Sequence, residues 1–128
     1  MQEQRNTVLT MASDLNRKNL KKVVAKLEPF MERQKVAFWG ASKIFDALVR
    51  FGGLKTDSLI CVVDEYLWKI LPEAHGIAVE HPDVLKEKNP DVVIVLACSS
   101  ANEIARKIRR LGIRNVVIFS QLLSSVKV

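Results

Sequence analysis

The chain has 128 residues, 48% of them apolar and 27% charged, with a formal net charge of +6 and two cysteines. That is the length of one domain, able to bury roughly two-thirds of the surface its unfolded chain exposes, and no low-complexity segment points to disorder. Apolar runs such as Val92 to Cys98 are far shorter than the roughly 20 residues that span a bilayer, and the polar start Met1-Gln2-Glu3-Gln4-Arg5-Asn6 precedes no signal-type apolar core. A cytoplasmic location and no membrane partner are therefore expected.

Cys61 and Cys98 lie in or at the end of apolar runs without Cys-x-x-Cys spacing, so neither zinc nor a disulfide framework is indicated. The basic residues concentrate in Arg17, Lys18, Lys21, Lys22 and Lys26, and again in Arg106, Lys107, Arg109, Arg110 and Arg114. Both groups fall on polar faces of predicted helices with no aromatic platform beside them. A solvated face explains them, and an anionic small molecule or acidic partner is expected before nucleic acid.

Residues 1 to 12 carry no period and read as a flexible tail, leaving 13–128 as a single domain. Ser13-Asp14 is a candidate helix cap, and Leu20, Val23, Val24, Leu27 and Met31 follow at helical spacing. Pro29 is expected to kink or end that helix, because it lacks an N–H and its ring crowds the preceding turn. The helix must then cover a sheet face or another chain.

A first strand, Val36 to Trp39, runs into Gly40-Ala41-Ser42 and then a helix with Ile44, Phe45, Leu48 and Val49 on one side, closed by Gly52-Gly53. The second strand, Leu59 to Val63, ends in Asp64. A loop through Trp68 and Leu71-Pro72 leads to a third, Ile77 to Val79, and Pro82 opens a brief helix over Asp83 to Lys88. After Asn89-Pro90-Asp91 comes the most apolar run, Val92 to Leu96, expected at the sheet centre. Ser100-Ala101-Asn102-Glu103 has capping-box spacing and starts a helix carrying Ile104, Ile108 and Leu111, which Gly112 ends. A fifth strand, Val116 to Phe119, follows, and Ser120 to Val128 is expected to add a short helical turn.

Continuous apolar strands alternating with helices predict an α/β fold, a Rossmann-like three-layer sandwich with five parallel strands in order 3-2-1-4-5 and an extra amino-terminal helix. The crevice at the carboxyl ends of strands one and four is the expected ligand site. There Gly40, Ala41, Ser42 and Lys43 meet Asp64 and Glu65, the segment near His81, and Ala97, Cys98, Ser99 and Ser100, with two helix starts offering N–H groups to an anion. The dinucleotide pattern Gly-x-Gly-x-x-Gly is incomplete, since Ser42 and Phe45 stand at its second and third positions. Asp64 is placed either to meet a ribose hydroxyl or to cap the turn after its strand. Cys98, beside helix starts, is a candidate nucleophile or a small core residue. His75 and His81 lack metal-ligand spacing, so no metal is expected; His81 follows strand three and is a candidate ligand contact. Trp39 reads as a core or helix-packing residue.

From about Leu20 to Leu122 the chain resembles the carboxy-terminal Rossmann-like domain of the S-adenosylmethionine-dependent sugar C-methyltransferases. The residues that carry this are Val36-Ala37-Phe38-Trp39-Gly40-Ala41, Val62-Val63-Asp64, Lys69-Ile70-Leu71-Pro72 with His75 and Ile77-Ala78-Val79, and Pro90 to Ala97 followed by Glu103-Ile104. The resemblance implies a domain covering a nucleotide-sugar site, with methyl donor and chemistry in preceding domains, hence a binding or lid domain that is not catalytic alone. The family has Trp-Asn where this chain has Cys98-Ser99, and glycine where it has Glu73, so contacts at those positions are not carried over.

The expected ligand is thus a small phosphorylated molecule, a nucleotide or nucleotide sugar, with a catalytic partner domain or a second copy of the chain as the protein partner. No resident cofactor is expected, a nucleotide being the one candidate. Three other functions fit the residues: an interaction module with a vestigial crevice, an NAD(P)-binding domain, or a small enzyme using Cys98.

Overall fold

The computed structural model describes residues 16–97 and 99–126. Its first helix, α1 (Arg17–Arg33), is capped by Asn16, whose side chain accepts the Asn19 N–H at 2.9 Å. The tail and the cap expected at Ser13-Asp14 lie outside the described residues. The helix does not end at Pro29. It runs one turn further, and Gln34 N–H closes on Phe30 O at 2.8 Å. A helix-interior proline costs about 3 kcal/mol, whereas burying Leu20, Val23, Val24, Leu27 and Met31 contributes on the order of 10 kcal/mol. The apolar stripe wins, because Met31 beyond the proline belongs to it.

Six strands follow: β1 (Val36–Trp39), β2 (Cys61–Val63), β3 (Glu73–Ala74), β4 (Ile77–Glu80), β5 (Val92–Val95) and β6 (Val116–Ile118). They form one sheet in the order β3-β4-β2-β1-β5-β6. β1 pairs in parallel with both β2 and β5, Phe38 standing opposite Val62 on one side and Ile94 on the other. β2 pairs in parallel with β4, and β5 with β6.

Count and order thus differ from a five-strand, wholly parallel sheet. The extra strand β3 pairs antiparallel with β4 at the edge, Glu73 opposite Ala78 and Ala74 opposite Ile77. Its cause is the two-residue turn His75-Gly76, with φ of 53° and 82°. Positive φ at both central positions is the hairpin turn whose twist matches two antiparallel strands. Histidine tolerates this because it is pinned: its Nε2 lies 2.8 Å from Asp46 Oδ1, and Thr56 Oγ1 donates to its carbonyl at 2.8 Å.

Alternation along the strands sorts side chains to two faces. Val36, Phe38, Val62 and Ile94 face α1, α2 (Lys43–Arg50) and α5 (Phe119–Val126) in one core cluster. Ala37, Trp39, Cys61, Val63, Val93 and Val95 face α3 (Val84–Lys88) and α4 (Ala101–Arg110) in another. Helices cover both faces of the sheet, giving three layers, and α1 lies on the chain's own sheet. The closing segment is longer than a turn: α5 has eight residues and begins at Phe119, the last residue expected in the fifth strand. Gly52 lets α1 approach α2, since a Cβ there would sit 2.7 Å from Leu48 O and 2.8 Å from the Val24 side chain.

Candidate functional site

The chain winds to one side of β1 through β2 and β4 and to the other through β5 and β6, so the loops after β1 and β5 part and leave a crevice at the strands' carboxyl ends. Gly40 sets how closely those loops approach. Its φ is +123°, and a Cβ would lie 3.2 Å from the Leu96 Cβ, so only glycine fits without displacement. Gly40 N–H donates to Val63 O at 2.8 Å, and Leu96 N–H to Trp39 O at 2.9 Å, continuing the ladder to the rim.

Asp64 follows β2 and is 9% exposed. Its Oδ2 accepts the Ala41 N–H at 3.0 Å, while Oδ1 accepts those of Tyr66 at 3.0 Å and Leu67 at 2.8 Å. The carboxylate therefore caps the turn after its strand and also ties down the loop after β1. Of the two roles open from its position, turn-capping is the one these bonds express.

Two helices start at the crevice. Ser42 caps α2 and Ser100 caps α4 by backbone alone, Asp46 N–H reaching Ser42 O at 3.0 Å and Ile104 N–H reaching Ser100 O at 2.9 Å. Neither serine makes a side-chain cap bond, so the capping box expected between Ser100 and Glu103 does not close from the serine side. Among the described residues no side chain caps the early N–H groups, and the positive ends of both helix dipoles face the crevice.

Between them lies a cleft of about 250 Å³. Of the expected site residues it is lined by Gly40, Ser42, Asp64, Ala97, Ser99 and Ser100. Ala41 and Lys43 do not line it: Ala41 is buried with its N–H on Asp64, and Lys43 is exposed to solvent. Cys98 lies outside the described residues. The cleft takes in Glu65, expected beside Asp64, and residues not expected there, Trp39, Tyr66, Leu96, Glu103, Ile104 and Lys107. Lys107 Nζ donates to Glu65 Oε1 at 2.9 Å and Oε2 at 3.0 Å, bridging α4 to the loop after β2. Those bonds hold the ammonium above its ordinary pKa, against the opposing effect of burial. The one trace of this bridge in sequence is the Glu103-Lys107 spacing, which places both on one helix face; the partner of Lys107, Glu65, is remote along the chain.

The third position of the dinucleotide glycine pattern holds Phe45, buried and packed edge-on to Phe38 with ring centroids 6.0 Å apart. An aromatic pair therefore stands between α2 and β1 where the dinucleotide turn has glycine for close packing. Cys61 is buried in the second core cluster, and burial, with Glu80 adding to it, pushes its thiol up to about 11. It is a core residue without nucleophilic character at neutral pH. Among the described residues no group of three or more His, Cys, Asp or Glu could hold a metal ion, and no helix is long and apolar enough to cross a membrane.

The sequence pattern of the C-methyltransferase C-terminal domain family matches residues 5–119. No match is found among curated proteins.

Proposed function

The chain belongs to the C-methyltransferase C-terminal domain family, and from that we propose that its crevice binds a nucleotide or nucleotide sugar, contributing substrate binding and not the methyl-transfer step itself. The observation that carries this reading is the pair of helix starts at Ser42 and Ser100, both without side-chain caps, flanking one cleft. A helix start with free N–H groups is a ready anion site, and two converging on a crevice suit a phosphate or diphosphate. Of the carboxylates lining the cleft, Glu103 in the first turn of α4 stands against an anion, and the other two are compensated. Asp64 spends its charge on three backbone N–H groups, and Glu65 is matched by Lys107. The same pairing argues for binding over acid–base work, since Glu65 and Lys107 neutralise each other across the cleft.

Thermal unfolding in the presence of UDP, dTDP, their glucose conjugates, NAD and S-adenosylmethionine tests the reading. A ligand at 100 times its Kd stabilises the native state by about 2.7 kcal/mol. The control is Ser100→Asp. Aspartate caps a helix as well as serine and suits the dipole, so the fold is retained, while its charge sits where phosphate would bind. The expected result is stabilisation by the nucleotides and its loss in the variant. A flat response from well-folded protein overturns the proposal and favours a module that contacts another protein through a crevice without a ligand.

A further inference from the structure

α1 buries one stripe and leaves a large apolar residue outside it. Leu20, Val23, Val24, Leu27 and Met31 face the sheet, whereas Phe30 is 51% exposed. A lone surface phenylalanine is ordinary. This one, with Gln34 a turn later, lines two neighbouring depressions of about 320 and 360 Å³. Joined along Phe30, they make one groove from the last turns of α1 to the outer edge of β6 at Val116 and Val117. Val92 opens β5 and Asn115 precedes β6, so the groove lies at the amino ends of those strands, at the other end of the sheet from the crevice.

The edge beside Phe30 has unspent backbone groups. β6 pairs with β5 on one side and ends the sheet on the other, with no strand beyond it among the described residues. Val93 N–H donates to Asn115 O at 3.0 Å. Backbone groups alternate in direction along a strand, so Asn115 and Val117 turn theirs to β5 and Val116 turns its N–H and C=O outward. An open edge is a template for another extended chain, and an apolar anchor next to it gives such pairing its specificity.

The charge around the groove selects the chain. Lys26, Arg33 and Arg114 line it and no carboxylate does. Lys26 Nζ donates to Ser125 Oγ at 2.8 Å, a neutral acceptor that leaves the charge uncompensated. Arg33 and Arg114 are exposed and form no ion pair among the described residues. Asp91, next to Val92, has its Oδ2 on the Lys35 N–H at 2.7 Å, and helical period carries Glu28 and Glu32 away from the face of Lys26 and Arg33. A second copy of this chain would set the same cations against one another. A nucleic acid would meet the cations but leave the Val116 backbone unpaired, with one ring to stack on.

We propose that this groove docks an extended acidic segment of another protein, which adds its backbone to the outer edge of β6, packs an apolar side chain on Phe30 and sets carboxylates against Arg33 and Arg114. β6 has three residues, so the contact is small and its affinity micromolar. The site is separate from the crevice and independent of what binds there.

Fluorescence anisotropy of the full chain with labelled peptides tests it, one of alternating valine and glutamate, its valine–lysine counterpart, and an oligouridylate. The acidic peptide is expected to bind in the micromolar range and the basic one about tenfold more weakly. Arg33→Glu with Arg114→Glu weakens the acidic peptide about tenfold, and Phe30→Ala does so by a similar factor. All three positions are exposed, so circular dichroism is expected to stay unchanged. An acidic peptide N-methylated on alternate residues keeps its side chains but loses backbone donors, and binds about tenfold more weakly. Amide resonances of the protein shift at Val116 on titration and not at Gly40 or Ser42. Equal affinity for the two peptides, no loss on substitution, undiminished binding of the N-methylated peptide, or no binding by folded protein overturns the proposal. Oligouridylate binding that exceeds the acidic peptide's and is lost in the arginine variant overturns it in favour of nucleic acid, and a dimer lost in Phe30→Ala overturns it in favour of a second copy.

Discussion

Replacing Asp64 with alanine removes the acceptor of three backbone N–H groups at once. The Ala41 N–H is buried, and leaving it without a partner costs about 1–3 kcal/mol. The Tyr66 and Leu67 N–H groups are only partly buried, so water replaces the carboxylate there at a net loss of about 0.5–1.5 kcal/mol each. The expected destabilisation is about 3 kcal/mol. With an unfolding entropy of about 2.1 cal/mol/K per residue over 128 residues, that lowers Tm by roughly 11 °C. Asp64→Asn is milder, about 2 kcal/mol, because one amide orientation keeps the oxygen on Tyr66 and Leu67 but turns a donor toward Ala41, and the other orientation does the reverse. Urea titration followed by circular dichroism measures both. A loss below 1 kcal/mol for the alanine variant would refute the carboxylate as the tie between the loops after β1 and β2.

Gly52→Ala is expected to destabilise more than Gly53→Ala. The first Cβ would lie 2.7 Å from the Leu48 carbonyl of α2 and, on the α1 side, 2.8 Å from the Val24 side chain and 3.1 Å from the Leu20 carbonyl, whereas the second meets open space and carries only its left-handed φ of +77°, worth about 1–2 kcal/mol; equal denaturation midpoints would contradict the close approach of α1. In a Cys98→Ser background, Cys61 should resist iodoacetamide at pH 8 until the protein unfolds, since its thiol titrates at about 11 and is buried; mass spectrometry of the native protein reads this, and prompt alkylation would refute it. Burial works to raise the Asp46 pKa, but hydrogen bonds from His75 and Arg50 hold it below its ordinary value. A depressed carboxylate adds stability that is present above its unfolded pKa near 3.8 and lost as pH falls through the folded value. The acid limb of stability against pH should therefore be shallower in Asp46→Asn, by a small margin because solvent screens an exposed pair; superimposable limbs would show that the bonds contribute nothing.

The sequence alone determined the layered α/β architecture and the place of the crevice. Buried parallel strands must be apolar throughout, so β1 and β5 stand out as runs; α1 shows its inward face as Leu20, Val23, Val24, Leu27 and Met31 for the equally local reason of helical period. Gly40, Ser42, Asp64, Ala97, Ser99 and Ser100 were legible as crevice residues because each sits immediately past a strand end or at a helix start, and chain order is enough to bring such positions together. What escaped depended on partners distant along the chain. β3 exists because Asp46 and Thr56 pin His75 in a left-handed turn. α1 passes Pro29 because a face of the sheet awaits Met31. Ala41 turns inward because Asp64 takes its N–H, and Lys107 becomes a wall of the cleft because Glu65 meets it. Local periodicity reports which face of an element is buried. Whether a polar side chain is spent on its neighbours or left for a ligand is decided only when separate elements pack, because that depends on distances of about 3 Å between groups that the chain keeps far apart.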